Sequence, residues 1–217
     1  MKENLIETAL NLIFPKVCGF CKCLSNSYLC NDCGKKIHSL EKNVIQTYSE
    51  KFFETHCWIF EYENEIRDRI VEYKFEDQSY LCNFFGEVIL ENKIVCDYIE
   101  LFDYIVPVPL HKKRLKERGY NQSELIAKAI SARGLKIEFR NDILKKVKNI
   151  KPQSTLNQNE RIKNVINAFE VNTNKNINGK KILIFDDVFT TGSTANECAK
   201  ALYQCGSRNI GICTLAK

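Results

Sequence analysis

The spacing of apolar residues along the chain predicts five amphipathic helices. In each segment the apolar side chains recur every three or four residues, which places them on one face of a helix. The segments are residues 3–14, 65–75, 80–90, 123–131 and 195–204. Pro15 and Gly206 end the first and the last of them, and Ser123 is positioned to cap the fourth.

Short apolar runs between these helices predict buried strands. Such runs cover residues 104–109, 181–185 and 210–215, and residues 52–62 indicate a further strand and a turn. Strand, loop and helix follow one another twice, before residue 131 and again before residue 204. This alternation predicts an α/β fold built on a parallel sheet.

Polar stretches indicate how the chain is divided. Residues 41–49 are polar and are interpreted as a connector between an N-terminal module, residues 1–45, and an α/β domain, residues 50–217. Residues 111–119 are basic and predict a loop, and residues 145–159, polar with one proline, predict a mobile loop. The chain is thus expected to hold one small module and one larger domain.

The composition is typical of a globular protein rather than of a disordered chain, with 44% hydrophobic and 27% charged residues. The sequence contains no run of about 18 apolar residues that could span a bilayer. Its start lacks the basic segment and the cleavage site of an export signal, so a cytoplasmic location is expected. The amphipathic helix over residues 3–14 is expected to pack on the protein itself, because it has two glutamates and only one neighbouring lysine.

The chain has two local clusters of basic residues, although the net charge is only +5. The first cluster comprises Lys112, Lys113, Arg114, Lys116 and Arg118, and the second comprises Lys145, Lys146, Lys148 and Lys151. Such clusters suit phosphate groups, and the alternative is an ordinary solvated surface.

Four of the eleven cysteines have the spacing of metal ligands. They form two Cys-x-x-Cys pairs, Cys18 with Cys21 and Cys30 with Cys33, separated by eight residues. In a chain without an export signal thiols stay reduced, which favours a metal over disulfides. Four thiolates at this spacing can bind one Zn²⁺ tetrahedrally, and the ion would stabilise a module too short to have its own core.

Alternatives to this ligand set remain open. Cys23 or His38 could replace one ligand, or the four thiols could be buried without a metal. A redox disulfide is disfavoured because the pairs are not expected to begin a helix after a strand. The remaining cysteines are predicted to be small buried apolar residues: Cys57, Cys82, Cys96, Cys198, Cys205 and Cys213.

The strand over residues 181–185 runs into a segment of acids and hydroxyls. This segment reads Asp186-Asp187-Val-Phe-Thr190-Thr191-Gly192-Ser193-Thr194. The hydroxyls and the free N–H groups of the following helix can bind a phosphate, and Gly192 lets the backbone approach it closely. The two carboxylates can accept hydrogen bonds from vicinal ribose hydroxyls. The segment therefore predicts a sugar phosphate site, and the alternative is a surface turn with an ordinary helix cap.

Residues 182–194 closely resemble the phosphoribosyl pyrophosphate (PRPP) signature of type I phosphoribosyltransferases. This resemblance implies that Asp186 and Asp187 hold the ribose 2- and 3-hydroxyls. It implies that the 5-phosphate is held by the loop Thr190, Thr191, Gly192, Ser193 and Thr194.

Further segments resemble the ComF family within the phosphoribosyltransferase fold. They are residues 107–122, the run Gln153-Ser-Thr-Leu156, the residues Arg161, Asn164 and Ala168-Phe169, and the four-cysteine unit. The resemblance covers nearly the whole chain and implies a Rossmann-like parallel-sheet domain with an N-terminal zinc module. Lys146 stands where the family commonly has arginine, and Asn167 where it often has glycine.

The same resemblance implies that pyrophosphate lies at the basic loop after Pro109. Arg114 and Arg118 are the best-placed bases there, with Lys112 and Lys113 beside them. Mg²⁺ would accompany PRPP, and Zn²⁺ would be structural.

The ComF resemblance implies a role in DNA uptake during natural transformation. Its implied partners are PRPP, single-stranded DNA and competence-machinery proteins such as a DNA-translocating helicase, with Tyr120 or Phe20 as candidate base-stacking surfaces. The alternative is an active phosphoribosyltransferase that transfers the phosphoribosyl group to an unidentified acceptor. The sequence reveals no nucleobase pocket and no catalytic residue. A third possibility is that PRPP is a signal that controls a partner interaction.

Overall fold

The computed structural model describes residues 15–76, 78–149, 165–172 and 176–217. The helix predicted over residues 3–14 lies outside the described residues. So do Lys151, the run from Gln153 to Leu156, Arg161 and Asn164.

Seven helices and eight strands make up the described part of the chain. The helices are α1 (Asn31–Leu40), α2 (Asn64–Phe75), α3 (Leu81–Glu91), α4 (Lys93–Ile99), α5 (Lys112–Arg118), α6 (Gln122–Ser131) and α7 (Ser193–Gln204). The strands are β1 (Val44–Thr47), β2 (Thr55–Phe60), β3 (Tyr104–Pro107), β4 (Glu138–Phe139), β5 (Leu144–Lys146), β6 (Phe169–Val171), β7 (Lys181–Val188) and β8 (Asn209–Ala216).

Six of the strands form one sheet in the order β1-β2-β8-β7-β3-β4. All neighbours pair in parallel except β1, which is antiparallel to β2 at the edge. The strands β5 and β6 form a separate antiparallel pair. The predicted α/β fold with a parallel sheet is therefore confirmed.

The central strand β7 is buried on both faces, which explains its continuous apolar run. Ile182 and Ile184 pack into one core with α7, whereas Leu183 and Phe185 pack into the other core with α2, α3 and α6. This second core also contains Cys18, Leu29, Cys33 and Ile37. The cysteine-rich segment therefore packs directly against the α/β domain.

Two local predictions beside the sheet are wrong. The basic segment predicted as a loop is the helix α5, because His111 accepts a hydrogen bond from the N–H of Lys113 at its start and Gly119, with a φ of 82°, ends it. Ser123 does not cap α6, since Asn121 occupies the N-cap position and the Ser123 hydroxyl bonds to Asp186.

Other segments have more regular structure than predicted. Residues 41–49 contain the edge strand β1, and the predicted loop from residue 145 begins with residues of β5. The strand β7 extends through both aspartates. Asn167 has a φ of 53°, a left-handed conformation that glycine adopts freely and asparagine tolerates.

Candidate functional site

Each of the two aspartates of β7 contacts a side chain from a different helix. Asp187 is 2.8 Å from the ammonium group of Lys74, at the end of α2, and both side chains are mostly buried. Asp186 accepts hydrogen bonds from the Ser123 hydroxyl and from the N–H of Asp187, both at 2.9 Å. The fold therefore fixes the orientation of both carboxylates at the end of the strand.

The environment of Asp186 favours its protonated form. Burial, and then the neighbouring charge of Asp187, raise the pKa of Asp186 to about 7. Lys74, the N–H of Asp187 and the Ser123 hydroxyl act in the opposite direction. As a result, Asp186 titrates close to neutral pH.

The hydroxyl-rich loop after β7 has a glycine where no other residue fits. Gly192 has a φ of 70°, and a Cβ atom there would lie 2.4 Å from Cζ of Phe189. The hydroxyls of Thr191 and Ser193 are 2.7 Å apart, and the first turn of α7 contains no acidic residue. The loop thus presents hydroxyls and a helix N-terminus, which together suit an anion.

A cavity of about 510 Å³ opens beside this strand and loop. Asp186, Asp187 and Thr194 line it on one side. Its other walls include five cations, namely Lys74, Lys113, Arg114, Arg118 and Lys146. A small recess lined by Thr190, Gly192 and Ser193 shares Asp186 and Thr194 with this cavity, so the loop adjoins the cation-lined cavity.

The first basic cluster contributes unequally to this cavity. Lys113, Arg114 and Arg118 line it, whereas Lys112 is exposed and lies outside the lining. Arg118 donates to the side-chain oxygen of Gln122 at 2.7 Å, and burial and then Arg114 lower the pKa of Arg118. Three of the four bases predicted in this segment are therefore brought together.

The second basic cluster contributes one described residue, Lys146. Lys145 pairs with Glu170 at the surface, and Lys148 donates to a backbone carbonyl. The Lys146 ammonium group lies 5.2 Å from the centroid of the Phe169 ring, and burial lowers its pKa. It is a partly buried cation that faces the cavity.

Lys74, Ser123 and Lys146 reach the cavity from α2, α6 and β5. Lys146 belongs to the second predicted basic cluster, whereas Lys74 and Ser123 were not predicted as residues of the site. No comparable signal marks Lys74 or singles out Ser123, because their roles depend on how helices far apart in sequence pack.

The sulfur atoms of Cys18, Cys21, Cys30 and Cys33 all lie within 4.8 Å of one another. Those of Cys21 and Cys30 are 3.8 Å apart, and a tetrahedral Zn²⁺ with Zn–S bonds of about 2.3 Å requires about the same separation. The four residues therefore fit a zinc ion.

Neither alternative ligand belongs to this cluster. The exposed Cys23 thiol is directed to the backbone oxygen of Cys21, and His38 lies between Glu41 and Glu91. The second Cys-x-x-Cys pair begins helix α1, and the described residues just before it form bends rather than a strand.

The cysteine unit is attached to α3 by close contacts. A Cβ atom on Gly19 would lie 2.4 Å from Cβ of Phe84, so the backbone approaches the helix as only glycine allows. The N–H of Leu29 donates to Glu87 at 2.9 Å.

None of the described helices is long and apolar enough to cross a membrane.

Comparison with known proteins gives a match to the phosphoribosyl transferase domain over residues 122–217. The chain is 31% identical to competence protein F of Haemophilus influenzae over 210 residues, which cover 94% of this chain and 85% of that protein. It is 27% identical to competence protein ComFC of Streptococcus pneumoniae over 208 residues, which cover 88% of this chain and 89% of that protein. It is 32% identical to the DNA utilization protein YhgH of Escherichia coli O157:H7 over 119 residues, 55% of this chain and 51% of that protein.

Proposed function

The chain belongs to the ComF family and carries a phosphoribosyltransferase-type domain, and from this premise we propose that it binds PRPP and takes part in DNA uptake. The observation that carries the PRPP proposal is the space at the end of β7, which comprises the cavity and the adjoining recess. An acid pair and five cations line the cavity, and residues of the hydroxyl-rich loop line the recess.

Each part of PRPP has a chemical counterpart in this space. The carboxylates of Asp186 and Asp187 accept hydrogen bonds from the ribose hydroxyls. The 5-phosphate binds at the loop Thr190, Thr191, Gly192, Ser193 and Thr194, where N–H and hydroxyl donors are available. A volume of about 510 Å³ is within the usual range of small-molecule sites.

The pyrophosphate group is assigned to the cations of α5. Arg114 and Arg118 line the cavity and can bind phosphate oxygens in pairs, with Lys113 beside them. Mg²⁺ bound with PRPP would neutralise part of the pyrophosphate charge. Lys112 is placed to act only at longer range.

The four thiolates of the N-terminal unit are assigned to a structural Zn²⁺. Cys18 and Cys33 are buried in the same core as α2, α3 and α6, so the ion would stabilise the wall from which Lys74 projects.

The proposed role in DNA uptake rests on the relatives and on charge. Two relatives are named competence proteins and a third a DNA utilization protein. Helix α5 carries five basic residues and one acidic residue, which suits the phosphates of a single DNA strand. Competence-machinery proteins such as a helicase are the partners that this role would require.

Thermal unfolding with PRPP and Mg²⁺ tests the PRPP proposal. The ligand should raise the melting temperature of the native protein, and the gain should vanish in Asp186→Ala and in Thr191→Ala. As matched controls, Asp97→Ala and Thr47→Ala remove the same groups from the exposed surface and should keep the gain. An unchanged melting curve for the native protein would remove the proposal.

One observation favours catalysis as a second candidate function. Asp186, whose pKa is raised to about 7, lines the cavity, and such a group can exchange protons at neutral pH. Pyrophosphate release from PRPP, measured across a panel of nucleobases, tests this candidate. Release that depends on the base and is lost in Asp186→Asn would support a transferase, and PRPP binding without release would support a binding protein.

A further inference from the structure

A second cavity of about 480 Å³ adjoins the first and has one aromatic wall. The ring of Phe75, the last residue of α2, lies in this wall and lines the first cavity as well. The cavity is otherwise formed by Lys74 and by residues of α5 and its C-terminal turn: Arg114, Lys116, Glu117, Arg118, Gly119 and Tyr120.

Phe75 is far more exposed than the buried apolar residues of its helix. The side chain is 59% exposed, whereas Ile70 and Tyr73 of the same helix are fully buried. The guanidinium group of Arg118 lies 5.1 Å from the centroid of the Phe75 ring. An exposed ring beside a planar cation is the kind of surface on which nucleic-acid bases stack.

The charge of the second cavity indicates which kind of base-containing ligand it favours. Four cations and a single carboxylate line it, so an anionic ligand is favoured over an uncharged free base. Lys116 does not line the first cavity and is available to a second ligand. A base flanked by phosphates, as in a single strand, matches both the ring and the charge.

The aromatic residues suggested by the sequence are less suited to stacking. The Tyr120 hydroxyl donates to the backbone oxygen of Tyr73, and the two rings are 5.7 Å apart. Phe20 is half-buried, 6.4 Å from the Phe84 ring, with the Lys36 ammonium group over it. Phe75 is the more exposed ring, and it adjoins the basic helix.

We propose that this second cavity binds one nucleotide of single-stranded nucleic acid, with the base stacked on Phe75 and its flanking phosphates held by Arg114, Lys116 and Arg118. This inference rests on the proposed role in DNA handling and assigns that role to a place. Because Arg114 and Arg118 also line the PRPP cavity, the strand lies beside the sugar phosphate site.

The affinity of the intact protein for oligodeoxythymidylate, measured by fluorescence anisotropy at fixed salt, tests the proposal. Phe75→Ala should weaken binding by about 5- to 100-fold, the usual effect of removing one stacking ring, and Phe75→Trp should restore most of it. Tyr203→Ala is a matched control, because Tyr203 is 40% exposed with Arg208 over its ring at 4.1 Å but lies outside both cavities. It should leave the affinity unchanged.

An abasic oligomer of the same length separates stacking from charge. The native protein and Phe75→Ala should bind this oligomer equally, since it keeps the phosphates and lacks the bases. Equal affinity of the two proteins for oligodeoxythymidylate would overturn the inference. An equal loss of affinity for both oligomers in Phe75→Ala would also overturn it. So would competition by uncharged nucleosides that is as strong as competition by the strand, because this result would indicate a binding site for an acceptor base instead.

The outcome can be separated from that of the proposed function. If the native protein binds no strand, the DNA part of the proposed function and this inference both fall. If the native protein binds and Phe75→Ala binds equally well, only this inference falls. PRPP binding is read independently, from the thermal shift of the native protein.

Discussion

The four-cysteine unit and the cation-lined cavity are assembled in opposite ways. The four thiols come from residues 18–33, and their sulfur atoms lie within 4.8 Å of one another. The cavity is formed by residues from α2, α5, α6, β5 and β7, more than a hundred positions apart along the chain. The residues of the first site are therefore close together in the sequence, whereas those of the second come together only when the domain folds.

The largest expected effect comes from breaking the local site. Cys30→Ser should abolish binding of about one zinc per chain, because three thiolates no longer complete the tetrahedral set. Since two of the ligands are buried in the main core, the free energy of unfolding should fall by at least about 3 kcal/mol. This corresponds to a melting temperature lower by roughly 6–12 °C, measured by calorimetry beside metal analysis.

Cys23→Ser is the matched control for this change. It removes an exposed thiol that lies outside the cluster, so zinc content and melting temperature should stay at the native values. Loss of zinc in Cys23→Ser, or a native protein that folds stably without metal, would contradict the assignment.

The features that the sequence predicted correctly are the ones that depend on residues close together in the chain. The four-cysteine cluster and the parallel sheet were predictable, because cysteine spacing and apolar runs are local signals. Helix α5 was missed since its residues have no apolar period, although lysine, arginine and glutamate all favour helices. The edge strand β1 was missed because most of its side chains are exposed.

In the cavity, only the chemically distinctive residues were predictable. Asp186, Asp187 and the hydroxyl loop form a recognisable run, but the ion pair between Asp187 and Lys74 joins residues 113 positions apart. Likewise Ser123 was interpreted as a helix cap, because its local sequence suits a cap and its partner Asp186 is distant. Tertiary packing decides both interactions.

The second largest effect should come from Gly192→Ala, in the loop of the cavity. Alanine at a φ of 70° is strained by about 1–3 kcal/mol, and its Cβ would lie 2.4 Å from Phe189 Cζ, which adds a similar cost for overpacking. Phe189 cannot move easily, since it stacks on the buried His56 with ring centroids 4.1 Å apart. Urea unfolding should therefore show a loss of several kcal/mol, together with loss of the PRPP-induced stabilisation.

Gly179→Ala separates strain from crowding. Gly179 has nearly the same φ, 71°, and no atom within 4 Å of the added Cβ, so only the same backbone cost of about 1–3 kcal/mol is expected there. Equal losses in the two variants would mean that the contact with Phe189 has no energetic weight.

A smaller effect should distinguish two bases of the same helix. Arg114→Ala should weaken PRPP binding by about 10- to 100-fold, because Arg114 lines the cavity and a charge-assisted hydrogen bond contributes that much. Lys112→Ala removes the same charge from an exposed position outside the lining and should weaken binding by less than about 3-fold. Isothermal titration measures both, and equal losses would show that general charge, rather than contact, governs the affinity.

The last effect, small for each single pH unit, concerns the proton on Asp186. Its pKa is about 7 in the folded protein against an ordinary value of 3.8, so between pH 4 and 7 the folded state holds a proton that the unfolded state releases. Stability contributed by this group is therefore present at low pH and is lost as pH rises to 7, with a slope of at most about 1.4 kcal/mol per pH unit. Asp186→Asn keeps an acceptor for Ser123 but cannot titrate, so its stability should fall less over this interval. Urea unfolding of both proteins at pH 5, 6, 7 and 8 measures the difference, since titrating groups remote from Asp186 contribute equally to both and cancel. Parallel pH profiles would show that Asp186 is ionised throughout this range. In that case Lys74 and Ser123 would stabilise the charged carboxylates by more than burial destabilises them.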